Sequence, residues 1–213
     1  MVAANIGGVK RIVIAALSLV FALTAAAAAT DPLLLHPTKL AARAPSHYDA
    51  TFKTTAGTFT IAVTRAWSPH GADRFYNLVK HGFYNGAEFF RVVPGFVVQF
   101  GLNGSPAVNA AWKDARIPDD PVKQSNHPGY VSFASAGPNT RTTQVFINFG
   151  DNARLDSMGF SPFGKVTSGM AAVRKIYAGY GESPDQDKIT ADGNAYLQKT
   201  YPKLDRVLTA TVH

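Results

Sequence analysis

The chain has 213 residues, a formal charge of +7 and no cysteine. That length allows one domain with a sizeable core, and the missing cysteines exclude a disulfide framework, thiol catalysis and a lipid-anchored N-terminus. The positive residues are scattered rather than clustered, which describes a solvated surface and gives no footing for nucleic-acid binding.

Lys10 and Arg11 precede an apolar run, Ile12 to Leu23, which ends in the small residues Ala25 to Ala29. This order of charge, apolar stretch and Ala-x-Ala end is that of a secretory signal peptide, here residues 1–29 with cleavage near Ala29. The alternative, a retained anchor, needs roughly 20 predominantly apolar residues, and the run dissolves into alanines first. A mature chain without stable membrane insertion is expected, periplasmic or secreted. Residues 30–46 hold three prolines and no sustained period, and read as a linker or N-terminal arm. Residues 47–213 are the domain.

Within the domain, YDATFKT and GTFTIAVT alternate apolar and polar residues around Thr55-Ala56-Gly57, the pattern of an antiparallel hairpin. Ala72, Phe75, Leu78 and Val79 mark one face of a helix that Gly82 closes. Glu88 to Val93 and Phe96 to Gly101 are expected strands, separated by a Pro94-Gly95 turn. Asn103 to Pro128 reads as a long surface loop. Tyr130 to Ala134, Gln144 to Phe149 and Pro162 to Val166 are further strands. Gly169 to Tyr177 is a second short helix with Met170, Val173 and Tyr177 on one face. After a polar loop, Leu204 to Val212 is the closing strand. Many short strands with two helices predict an all-β sandwich or closed barrel.

The residues show few of the usual chemical signatures. His36, His47, His70, His81, His127 and His213 have no metal-ligand spacing, the acidic residues form no evident pair, and no glycine-rich phosphate loop is present. No metal or cofactor is expected. Taken singly, Arg91 reads as a surface residue and Phe96, Phe146 and Phe160 as core.

Three segments in register change that reading: Gly82-Phe83-Tyr84 with FFRVVPGFVVQFG (Phe89 to Gly101), FASAGPNTRTTQVFIN (Phe133 to Asn148), and FGKV (Phe163 to Val166) followed by Gly169-Met170. Together they resemble the cyclophilin-type peptidyl-prolyl cis-trans isomerases, over roughly Tyr48 to Val212. The resemblance implies an all-β fold, a closed eight-stranded antiparallel barrel capped by two α-helices, in agreement with the strand count. With the signal segment it implies a bacterial, exported isomerase. Such an enzyme accelerates X-Pro bond rotation in exported proteins as they fold and takes proline-containing polypeptides as partners; nothing in the sequence suggests an interface, and a monomer is expected.

Residue by residue, the resemblance makes Arg91 the catalytic arginine, Phe96 the floor of a proline pocket and Gln99 the active-site glutamine. Val97 stands where methionine is common. Ala134, Ser135 and Ala136 match the segment that pairs with substrate backbone, Ser135 standing where asparagine is usual. Gln144 and Phe146 match two wall positions, and Phe160 takes a place commonly held by histidine. Arg154 or Leu155, depending on one gap, replaces the family's tryptophan. Phe90 replaces a histidine and is expected to face away from Arg91; Phe100 replaces a glycine and is expected to narrow the approach to the pocket. These departures motivate the alternative of a catalytically weakened barrel acting as a proline-peptide binding module or chaperone.

Overall fold

The computed structural model describes residues 31–213 together with Met1 and Val2. The expected signal segment otherwise lies outside the described residues. In chain order the elements are β1 (His47–Thr54), β2 (Gly57–Thr64), α1 (Pro69–Lys80), β3 (Arg91–Val93), β4 (Val97–Phe100), α2 (Pro106–Trp112), β5 (Tyr130–Phe133), β6 (Val145–Asn148), β7 (Pro162–Ser168), α3 (Met170–Lys175), α4 (Gln186–Asp192), α5 (Asn194–Thr200) and β8 (Val207–Val212).

All strand pairs are antiparallel, in one eight-stranded sheet of order β3-β4-β6-β5-β7-β2-β1-β8. Alternation along β1 and β2 sends Tyr48, Ala50, Phe52, Phe59, Ile61 and Val63 to the inner face, because successive side chains leave a strand on opposite sides. Phe52 and Phe59 are cross-strand partners and their rings stack at 5.1 Å. α1 lays Phe75 against Phe163 at 4.8 Å. Phe100 and Phe133 complete this buried aromatic interior, each such side chain contributing on the order of 1.5–3 kcal/mol by burial. α3 starts from Gly169 at φ +78, where a Cβ would collide with Thr58 carbonyl oxygen on β2.

Three expectations are corrected. The sheet curls into an open half-barrel: no ladder joins β3 to β8. Their approach is stitched by the Glu88–Arg206 bridge and by backbone bonds Phe89 N–H to Asp205 O and Val207 N–H to Ala87 O, both 2.9 Å. The short edge of β3 is taken instead by a loop, Val92 N–H donating to Gly181 O at 3.0 Å.

Second, the stretch 103–128 is not all surface loop. It contains α2, whose Val108 and Trp112 are buried and one turn apart, and the Trp112 indole donates to Leu34 O at 2.7 Å. The linker-or-arm segment meets it there, with Leu34, Leu40 and Ala44 in the core. Third, the polar loop after α3 holds α4 and α5, so the α-helices number five rather than two among the described residues. Ile189 and Leu197 from these helices join Phe90, Leu102 and Leu204 in a satellite cluster. In each case one or two buried apolar residues per helix suffice because their partners come from elsewhere in the chain.

Candidate active site

β4 carries the site because both its faces are covered. Val98 and Phe100 point into the main core, and Val97 and Gln99 point the other way, into a cavity of about 400 Å³. Register then decides the neighbours. Arg91 on β3 is opposite Gln99, and Gln99 is opposite Phe146 on β6. Directly opposed residues sit close enough for their side chains to meet, so three strands present a row of cation, amide and aromatic ring.

The polar half of the cavity is a directed chain. Arg91 Nη1 donates to Gln99 Oε1 at 3.1 Å, and Gln99 Nε2 donates to Gln144 Oε1 at 2.8 Å. A carboxamide has an acceptor end and a donor end, so accepting from the arginine obliges Gln99 to donate onward. On its outer side Arg91 Nε donates to Glu182 Oε1 at 2.6 Å.

The apolar half gathers Val97, Phe146 and Leu155 as buried centre, with Phe96, Ala134 and Phe160 around them. Phe146 and Phe160 meet edge to face at 5.6 Å. Two guanidinium groups lie over the Phe96 ring, Arg91 at 5.6 Å and Arg154 at 4.8 Å from its centroid. Of the two candidates for the tryptophan position, Leu155 lines the cavity and Arg154 lies over the ring of Phe96, itself a lining residue.

A layer of amides fixes this wall from behind. Asn126 Nδ2 donates to Asp156 Oδ1 at 2.7 Å and to Phe160 O at 2.8 Å, while Asn152 Nδ2 donates to Phe96 O at 3.0 Å and to Asn148 Oδ1 at 2.7 Å. Burial alone would raise the Asp156 carboxyl, but hydrogen bonds from Ser125 and Asn126 hold it below its ordinary value.

The structure brings Arg91, Phe96, Val97, Gln99, Ala134, Ser135, Ala136, Gln144, Phe146, Leu155 and Phe160 to this one cavity, and adds Thr140, Thr142 and Gln186. Thr140 and Thr142 share the period-2 row of Gln144, a signal the sequence offered. Gln186 and Glu182 come from the excursion after α3 and had none. The expectation for Phe100 is corrected: it packs inward on Phe89 at 5.0 Å and Tyr84 at 5.4 Å and leaves the cavity free. Phe90 is buried in the satellite cluster and does not line the cavity. Among the described residues no group of three or more His, Asp or Glu could hold a metal.

Residues 50–194 match the family described as cyclophilin type peptidyl-prolyl cis-trans isomerase/CLD. The chain is 37% identical over 134 residues to peptidyl-prolyl cis-trans isomerase A of Dickeya dadantii, covering 58% of this chain and 67% of that protein. It is 31% identical over 131 residues to peptidyl-prolyl cis-trans isomerase-like 1 of Emericella nidulans, covering 60% of this chain and 80% of the relative. Among solved structures, a cyclophilin type peptidyl-prolyl cis-trans isomerase of Cryptosporidium parvum superposes with a TM-score of 0.57 at 20% identity, over 78% of this chain and 98% of that one; at that identity the likeness is one of fold.

Proposed function

The chain belongs to the cyclophilin-type peptidyl-prolyl cis-trans isomerase family, and from that premise we propose that it rotates X-Pro bonds by stabilising the twisted amide with Arg91. The barrier to be lowered, about 18–20 kcal/mol, is amide resonance, and uncatalysed exchange takes tens to hundreds of seconds. No bond breaks and no proton must leave. What is required is a site that holds the twisted amide better than either planar form. As the amide twists, the proline nitrogen regains a lone pair, and a guanidinium N–H can donate to it. An acceleration of about 10⁵-fold requires about 7 kcal/mol of such differential stabilisation; a charge-assisted hydrogen bond in a sheltered site plus fixation of the ring is of that order.

The observation that carries this reading is the Arg91–Gln99–Gln144 chain running beside the apolar group of Phe96, Val97, Phe146, Leu155 and Phe160. The apolar side takes the proline ring and the chain aims the guanidinium across it. Ala134, Ser135 and Ala136 line the adjoining wall, where the substrate backbone would run. The inward direction of Phe100 supports turnover over a barrel kept for binding alone. Exchange in an Ala-Pro peptide tests the proposal: the mature chain accelerates it strongly, and Gln99→Leu retains less than a tenth of that rate. No acceleration by the unmutated chain overturns it.

The setting is also part of the proposal. The charged, apolar and alanine-ended order of residues 1–29 supports export, with a monomeric mature chain acting on proline-containing polypeptides as they fold in the periplasm or outside the cell. Mass spectrometry of the exported protein should find an N-terminus near Thr30; an intact Met1 in the cytoplasmic fraction contradicts it.

A further inference from the structure

We infer that Glu182, on the excursion between α3 and α4, is a positioning residue for Arg91; the inference rests on the isomerase reading above and names a part that the three family-like segments do not contain. The excursion is built to place it. Gly181 accepts from Val92 N–H at 3.0 Å, which fastens the loop to the edge of β3 one residue from Arg91. The loop is closed on itself by Gly181 N–H to Ala178 O and Ser183 N–H to Tyr180 O, each 3.0 Å, and Tyr201 Oη donates to Ser183 O at 2.9 Å. Gly181 takes φ +55, a turn that a side chain would strain. Glu182 follows directly, and its Oε1 accepts from Arg91 Nε at 2.6 Å and lies 2.5 Å from Nη2.

A guanidinium carries five N–H donors in one plane. Glu182 engages Nε and Nη2 on one side and Gln99 engages Nη1 on the other, which fixes that plane and leaves one N–H on each terminal nitrogen for a ligand. Without Glu182, Arg91 keeps a single side-chain hydrogen-bond partner, Gln99, and its long side chain regains rotamer freedom that must be lost again in each turnover. The pair is too exposed to matter much for folding. Its consequence therefore falls on rate.

The test uses the full mature chain with an Ala-Pro peptide. Glu182→Ala should lower kcat/KM about tenfold, through kcat, with KM and Tm essentially unchanged. Glu182→Gln keeps an accepting oxygen and should recover most of the rate. The Arg91 Nε–H resonance should be protected from solvent exchange in the unmutated chain and in Glu182→Gln, and lose protection in Glu182→Ala. A Glu182→Ala enzyme at full or higher rate overturns the inference, as does a loss confined to KM, or a Gln variant as slow as Ala. If the unmutated chain has no turnover, the isomerase reading fails, and the Nε–H exchange still decides whether Glu182 holds the guanidinium.

Discussion

Two arginine–carboxylate pairs serve the same sheet in opposite ways. Arg141 and Asp120, with side chains 3% and 2% exposed, lie under the start of α1. Asp120 accepts from Arg141 Nη2 at 2.9 Å, Ser68 Oγ at 2.6 Å, His70 N–H at 3.1 Å and Gly71 N–H at 3.0 Å, so it caps a helix whose own Ser68 does not. Arg91, which lines the cavity, and Glu182 on its outer side have side chains 26% and 60% exposed. The first pair is buried and its loss is expected to fall on stability; the second is solvated and its loss is expected to leave the fold in place while releasing the guanidinium proposed to act on the amide. Chemical type alone does not separate structural from functional ion pairs. Burial and the number of fixed partners do.

The difference can be broken most forcefully at Asp120. Asp120→Ala leaves the buried Arg141 with only the half-exposed Asp119 at 3.4 Å as a carboxylate partner and uncaps α1, and should cost about 3–5 kcal/mol of stability in urea unfolding. A loss below about 1 kcal/mol would place the two pairs in one class. Glu88 sharpens the same point with the opposite sign. Burial pushes its carboxyl from an ordinary 4.5 up to about 7, with Arg206 opposing in part, and it lies at the seam between β3 and β8. A raised carboxyl binds its proton more tightly in the folded state, so its contribution is complete below pH 4.5 and is lost as pH rises through 7, on the order of 3 kcal/mol in all. Unfolding free energy across that range should fall in the unmutated chain and flatten in Glu88→Gln; parallel curves would contradict the assignment.

Asp120 goes the other way. Burial would raise it, but the bonds from Ser68, His70, Gly71 and Arg141 hold it below its ordinary value of 3.8, so its contribution is present above that value and lost only as pH falls below it. The smallest effect is expected at Arg154, an exposed residue whose guanidinium lies over the Phe96 ring. Arg154→Ala should raise KM about two- to threefold with kcat kept, as befits a contribution of about 0.5 kcal/mol from an exposed cation–π contact. A change in kcat instead would make Arg154 part of the catalytic group.

Much of the frame was legible because it is local. The β1–β2 hairpin and the buried face of α1 follow from periods of two and of about four residues, and the Arg91-to-Phe160 cavity follows from segments that resemble a known family in register. What was missed depends on contacts distant in sequence. Glu182 stands 91 residues from Arg91 in the chain, and no local pattern announces that the excursion returns to the edge of β3. Trp112 sits in a stretch whose prolines and aspartates read as loop, and its burial rests on distant partners, the arm at Leu34, Phe83 at 5.5 Å and the Arg74 guanidinium at 5.0 Å. Phe100 is a different case. If Gln99 faces the cavity, alternation already sends Phe100 to the core, and the expectation that it narrows the pocket set that rule aside.

The most direct test of the account is the catalysed exchange rate of an Ala-Pro peptide with Arg91→Ala, taken together with its thermal unfolding. The account predicts a rate reduced by more than about 100-fold and a Tm within about 2 °C of the unmutated chain. A variant that folds equally well and keeps its rate within a few-fold of the original would contradict the role given to Arg91.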